Sequence, residues 1–181
     1  VAPLAYYEQL AESVGKDTNT LLSYDWAYGQ RAQRITQMLR ELAPNTVQTF
    51  QQIQGDNQNL EAPLIMPYLA DLDIPAGGLA DARTMLLGWN SQMHMDSAGA
   101  ALFAAFSAKL LGNTFDDQLP EGYNASNHQL WSVTQLLNRP DNVWWDDMRT
   151  ADVVEERDEI LLRSLDEAVQ ELNTKLGTDP A

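Results

Sequence analysis

The 181 residues suffice for one domain with a sizeable core, and 11 basic against 26 acidic side chains leave a net charge of -15 that argues against a nucleic-acid partner. The lack of cysteine excludes a disulfide scaffold, a cysteine zinc site and a thiol nucleophile, and leaves the redox compartment open. The acids are spread along the whole chain instead of forming one tail, as expected of a solvated face.

The chain opens on Val1, with neither an initiator methionine nor a basic-then-apolar start, which reads as a processed or excised end. Residues 2–14 place Leu4, Tyr7, Leu10, Ala11 and Val14 on one helical face, with Gly15 as the stop. After a polar loop, residues 25–42 carry Arg31, Ile35, Met38, Leu39 and Leu42 at helical spacing, closed by Pro44. Asn45 or Thr46 then opens a longer helix bearing Val47, Phe50, Ile53, Asn57, Leu60 and Leu64. Pro63 and Pro67 should interrupt or kink it, because each lacks the donor an interior position uses. The turn DLDIPAGG leads into another face made of Leu79, Ala82, Arg83, Leu86 and Trp89.

Residues 98–111 are the centre of the pattern. Only Gly99, Ser107 and Lys109 interrupt an apolar run, so a helix here has almost no polar side to offer water and should be the least exposed of all. Asp96 or Ser97 can cap its start, and Gly112 with Asn113 can end it. The run is shorter than the about 20 residues a bilayer span requires, so no membrane span is expected. A turn-rich excursion, NTFDDQLPEGYNAS, follows. Helix returns over residues 127–138 with Leu130, Val133, Thr134 and Leu137, ended by Pro140, and the aromatic link WWDDMRT comes next.

The last helix pairs Asp152 with Glu155 in a capping-box pattern and carries Leu161, Leu165, Ala168, Val169, Leu172 and Leu176 up to Gly177. Glu159 with Arg163 and Glu171 with Lys175 stand at i,i+4 on its outer surface. No segment alternates as a strand would. The expectation is an all-α, mainly helical orthogonal array, formed as a single domain over 1–181 or as a fragment of a larger chain.

Chemistry is harder to find. There is no glycine-rich phosphate loop, no GxSxG elbow and no HExxH. His94 and Asp96 would point to different faces of a helix, and His128 is the only other histidine, so a metal site is not expected. Asp146 and Asp147 have the chemistry for acid–base work, but a polar turn beside Trp144 and Trp145 accounts for them better.

Four segments, in this order, resemble the penicillin acylase (penicillin amidase) family of N-terminal-nucleophile hydrolases: SYDWAYGQRAQRITQML, FQQIQGDNQNLEAPLIMPYL, LLGWNSQMHMDSAGAALFAAF and WWDDMRTADVVEERDEILLRSLDEAVQEL. They carry the R-x-x-R-I of Arg31, Arg34 and Ile35, a Q-x-D ending at Asp56, a W-x-x-x-M-x-x-D-S-x-x-A from Trp89 to Ala100, and a closing W-W-D-D…R-D-x-I. The resemblance covers about residues 23–172. It implies the helical region of a larger αββα hydrolase, periplasmic or extracellular, that cleaves an acyl group from an amine. Partners would be the remainder of the parent chain, its smaller processed chain and an acyl amide substrate.

The same resemblance implies that the nucleophilic serine, whose own α-amine serves as base, and the oxyanion asparagine both lie before Val1. Ser126-Asn127 imitates the family's Ser-Asn start but follows three of the four segments that it should precede. The family's closing Trp-Gly and His motifs are expected beyond Ala181. The 181 residues alone should therefore be inactive, and the surface that meets the missing parts should be apolar and uncovered, with Trp144, Trp145 and the aromatics from Tyr24 to Tyr28 as candidates.

One site residue is carried over. Arg31 aligns with a family arginine that helps orient the oxyanion asparagine, a task that suits a rigid, permanently charged fork. Pairing with an acidic neighbour such as Asp25 is the plainer role for it. Some members bind calcium through an aspartate eleven residues earlier; here that position is Thr20, with Asp17 nearby, so no metal or cofactor is expected in this stretch, and calcium belongs at most to the parent protein. The alternative to a hydrolase part is a non-catalytic helical binding or scaffold protein.

Overall fold

A computed structural model describes residues 29–120 and 127–177, without the side chains of Asn127 and His128. The expected helix over 2–14 lies outside the described residues. The chain divides into two compact units between Asp56 and Asn57. All regular elements among the described residues are helical, and two-stranded pairing is limited to a single bridge between Gln58 and Gln92.

The first unit contains α1 (Gln30–Glu41) and α2 (Val47–Gly55). Gly29 opens α1 in the left-handed region, at φ 83, where a Cβ would be strained. Met38 is the one buried residue of this helix. Thr46 and Thr49 then form a reciprocal cap on α2, each side-chain oxygen accepting from the other's backbone N–H.

The single long helix expected from Thr46 to beyond Leu64 is two helices. The first stops at Gly55, and Asp56 is extended. Asn57 and Asn59 instead bond across to the segment before α5: Met93 N–H donates to Asn57 C=O at 3.1 Å, and Asn59 N–H donates to Ser91 C=O at 2.8 Å. The Asn59 side-chain oxygen accepts from the N–H groups of Glu61 and Ala62, which starts α3 (Ala62–Asp71). Pro63 sits in the first turn, where a missing donor costs nothing, and the exposed Pro67 alone occupies an interior position.

The second unit is completed by α4 (Gly78–Gly88), α5 (Ala98–Phe115), α6 (Asn127–Leu136), a 3-10 turn (Val143–Trp145) and α7 (Arg157–Leu176). As its apolar circumference predicts, α5 is the hub, packed against α4, α6, α7 and the 3-10 turn. Leu102, Phe103, Phe106, Leu110 and Leu111 enter one core with Ile65, Leu69, Leu86, Val133, Leu137, Trp145, Ile160, Leu161 and Leu165. A stripe of Ala101, Ala104 and Ala108 remains exposed.

Four local expectations are corrected. Gly112 and Asn113 do not end α5, which runs to Phe115 because Thr114 and Phe115 are buried and Asn113 reaches across to α7, donating to Ser164 Oγ at 3.1 Å and Glu167 Oε2 at 3.0 Å. The capping box of α7 is Glu156 with Glu159, one turn later than Asp152 with Glu155. Glu159 is thereby engaged with the Glu156 backbone and does not pair with Arg163, whereas Glu171 and Lys175 do pair, at 2.6 Å. Trp145, expected to be exposed, is completely buried, with its indole N–H donating to Arg139 C=O at 2.9 Å. Trp144 is half-buried, edge-on to Phe115.

Candidate functional site

Arg31 and Arg34 stand one turn apart on α1. Arg31 is exposed and makes no ion pair with a described residue. Its suggested partner Asp25 lies outside the described residues, as do Asp17, Thr20, Ser126 and the aromatics from Tyr24 to Tyr28. Arg34 is held: Nε donates to Asp56 Oδ2 at 2.9 Å and Nη2 to Asp56 Oδ1 at 2.7 Å. This two-point fork matches the planar guanidinium to both carboxylate oxygens. The hydrogen bond that Arg34 donates to Asp56 raises the arginine's pKa, against the opposing effect of burial. Sequence reasoning did not connect R-x-x-R-I with Q-x-D; the last residue of the second motif is the partner of the second arginine of the first.

In the second unit the charged groups concentrate beneath the 146–155 loop. Asp147 is 6% exposed and accepts from Arg149 Nε at 2.7 Å and from Arg163 Nη1 at 2.8 Å. Arg163 also holds Glu155, itself 5% exposed. The Thr150 hydroxyl lies within 2.9 Å of both Glu155 oxygens, and Asp147 N–H donates to Glu155 Oε2. The Arg149 hydrogen bond does most to hold the Asp147 carboxyl below its ordinary range, partly offset by burial. For Glu155 burial acts upward, but Thr150, Arg163 and the Asp147 N–H together outweigh it. Two ionised carboxylates clamped by arginine are poor general bases, so this is a latch for the loop and matches the polar-turn reading of Asp146 and Asp147. Asp146 joins it by accepting from Glu155 N–H.

His94 is exposed, on a turn and not on a helix, with Nδ1 3.1 Å from Asn57 Nδ2. Among the described residues no three His, Asp or Glu side chains converge as metal ligands would. A cleft of about 380 Å³ beside the alanine stripe of α5 has Phe103, Leu111 and Leu130 in its wall and Glu61 and Asp116 among its polar groups. Serine hydroxyls nearby are otherwise engaged: Ser97 accepts from Ala100 N–H, and Ser107 donates to Ala104 C=O. No helix among the described residues is long and apolar enough to cross a membrane.

The sequence matches the model of the penicillin amidase family over residues 9–181, nearly the whole chain. The chain belongs to the penicillin amidase family. Similar curated proteins include the acyl-homoserine lactone acylase QuiP of Pseudomonas syringae pv. tomato, 29% identical over 92% of this chain and 23% of that protein. The QuiP of Pseudomonas aeruginosa is 28% identical over 87% of this chain and 21% of that protein. The chain thus spans less than a quarter of the length of these relatives. As a family member it is related to amide hydrolases, and its described residues form a helical region.

Proposed function

We propose that these residues form the helical portion of a periplasmic or extracellular amidohydrolase that releases an acyl group from an amine, and that Arg31 supports the group that binds the oxyanion. The observation that carries this reading is the family match running from residue 9 to 181, through both units, together with an exposed Arg31 on the first described helix. In such a reaction a serine oxygen adds to the amide carbonyl, the amine leaves with a proton, and water cleaves the resulting ester. A guanidinium near the oxyanion donor contributes by fixing that donor before charge develops. The nucleophile, its α-amine base and the oxyanion asparagine would come from outside these residues, with the smaller processed chain completing the substrate pocket and any calcium bound there. N-acyl homoserine lactones, named by the relatives, are the first substrates to try.

The test is to follow free amine when the intact protein bearing this sequence meets an N-acyl homoserine lactone and an N-acyl anilide. Amine release by the intact protein and none by residues 1–181 is expected. Intact protein that releases no amine from any acyl amide would favour a scaffold. In the intact protein Arg31→Ala should lower kcat by at least about tenfold, because it loosens stabilisation made in the transition state.

A further inference from the structure

The geometry points to Arg34 and Asp56 as a positioning pair that sets the rotation of α1 and thereby aims Arg31. This rests on the proposed role of Arg31 and adds a pair of residues to it. Helix α1 has little apolar grip of its own: Met38 is its only buried side chain, and Arg31, Ile35, Gln37 and Arg40 are exposed. Packing alone therefore leaves its rotation about its axis weakly determined. The Arg34–Asp56 contact supplies what packing does not, because two parallel hydrogen bonds at 2.9 and 2.7 Å define a plane as well as a distance.

The anchor itself is firm. Asp56 is 10% exposed on its side chain and follows α2 directly, whose start is fixed by the Thr46–Thr49 cap. Residues three apart on a helix lie on neighbouring parts of one face, so rotating α1 to break the fork carries the Arg31 side chain with it. Arg34 spends its donors on Asp56, while Arg31 keeps its own for an acceptor elsewhere. One arginine of the R-x-x-R-I motif thus orients and the other acts. A lysine at position 34 would keep the charge and lose the plane, since an ammonium is a point donor.

The experiment is a double-mutant cycle in the intact enzyme, with kcat, KM and Tm measured together on an acyl amide that it cleaves. Arg34→Ala is expected to lower kcat about tenfold with KM little changed, the size of penalty that a modest misplacement of a catalytic group brings. Arg34→Lys should recover Tm more fully than kcat. Added to Arg31→Ala, Arg34→Ala should cost nothing further, because the group it aims is already gone. Losses that multiply in the double variant, or a kcat that stays intact in Arg34→Ala while Arg31→Ala is impaired, overturn the pairing and leave the Arg31 role standing. An Arg31→Ala enzyme with full kcat overturns both. If Arg34→Ala does not fold, Asp56→Asn, nearly the same shape without the charge, carries the same expectations.

Discussion

Gly99, on the first turn of α5, lies so close to Trp89 that a Cβ built on it would stand 2.7 Å from the indole Cγ and 2.9 Å from Trp89 Cβ. The ring cannot retreat easily. Its N–H donates to Gln92 C=O at 3.1 Å, and its face meets Phe103 with 5.3 Å between centroids. The segment from Trp89 to Ala100 is therefore a closed hook that turns the chain from α4 into the buried helix. Gly99→Ala should destabilise by about 1–3 kcal/mol, the usual result of forced overpacking, although alanine gains up to about 1 kcal/mol in helix propensity. Gly88→Ala is the control: nothing lies within 4 Å of its built Cβ, so only the propensity gain remains. Urea unfolding midpoints in which both variants move the same way would contradict this account.

Phe106 has no exposed surface and lies at the middle of α5, where its ring meets Phe103 at 6.3 Å. Phe106→Ala is expected to cost about 3–5 kcal/mol, through lost transfer energy and the cavity left behind. Leu102, at 5% exposure, should cost about 2–5 kcal/mol on the same substitution. Equilibrium denaturation checks both. Midpoints that hardly shift would place the core elsewhere.

The extension of α5 past Gly112 predicts a smaller effect. Asn113 donates across to both Ser164 and Glu167 of α7, and Ser164 is itself buried, with its hydroxyl donating to Ile160 C=O. Because Ser164 keeps that second bond, Asn113→Ala should cost only about 1–3 kcal/mol, the net worth of the two hydrogen bonds it removes. Thermal melts that show a loss several times larger would mean that the last turn of α5 unravels with it.

The helices were legible in the sequence because their apolar spacing is a local signal that the core obeys: Leu130 and Val133 on α6, Leu137 directly after it, and Leu161, Leu165 and Ala168 on α7 are all buried. Ends and corners were less legible. Gly112 looks like a stop, but a glycine ends a helix only when nothing beyond it is worth burying, and here Thr114 and Phe115 are. The break at Gly55 depends on partners more than 30 residues away, since Asn57 and Asn59 find their hydrogen bonds at Met93 and Ser91. Trp145 was a candidate for surface meeting parts outside this chain, whereas the 3-10 turn that carries it packs against α5 and the ring is buried. At the candidate site, Arg31 was singled out by family motifs alone. The Arg34–Asp56 fork joins α1 to the residue that follows α2, across 22 positions, which no periodicity encodes.

The latch beneath the 146–155 loop makes a prediction about acid. Asp147 and Glu155 both have folded-state pKa values depressed below their ordinary 3.8 and 4.5. A depressed carboxylate binds protons more readily in the unfolded chain than in the folded one, so its contribution to stability is complete above the ordinary value. That contribution is lost as pH falls toward and through the depressed one. Stability should therefore be flat from neutral pH to about 5 and then fall steeply below about 4, as the unfolded chain takes up protons first. Arg163 joins the two carboxylates, and Arg163→Ala leaves Glu155 buried without its cation; a loss of about 3 kcal/mol at pH 7 is expected, near the lower end for breaking a buried pair. In that variant Glu155 loses a group that lowers its pKa while burial still raises it. Its folded pKa therefore moves back toward or above the ordinary value, and the variant should lose less stability between about pH 5 and strong acid than the parent protein does, as chemical denaturation at a series of pH values would show. Equal acid profiles for the two proteins, differing only by a constant offset, would mean that the guanidinium does not hold these carboxylates ionised.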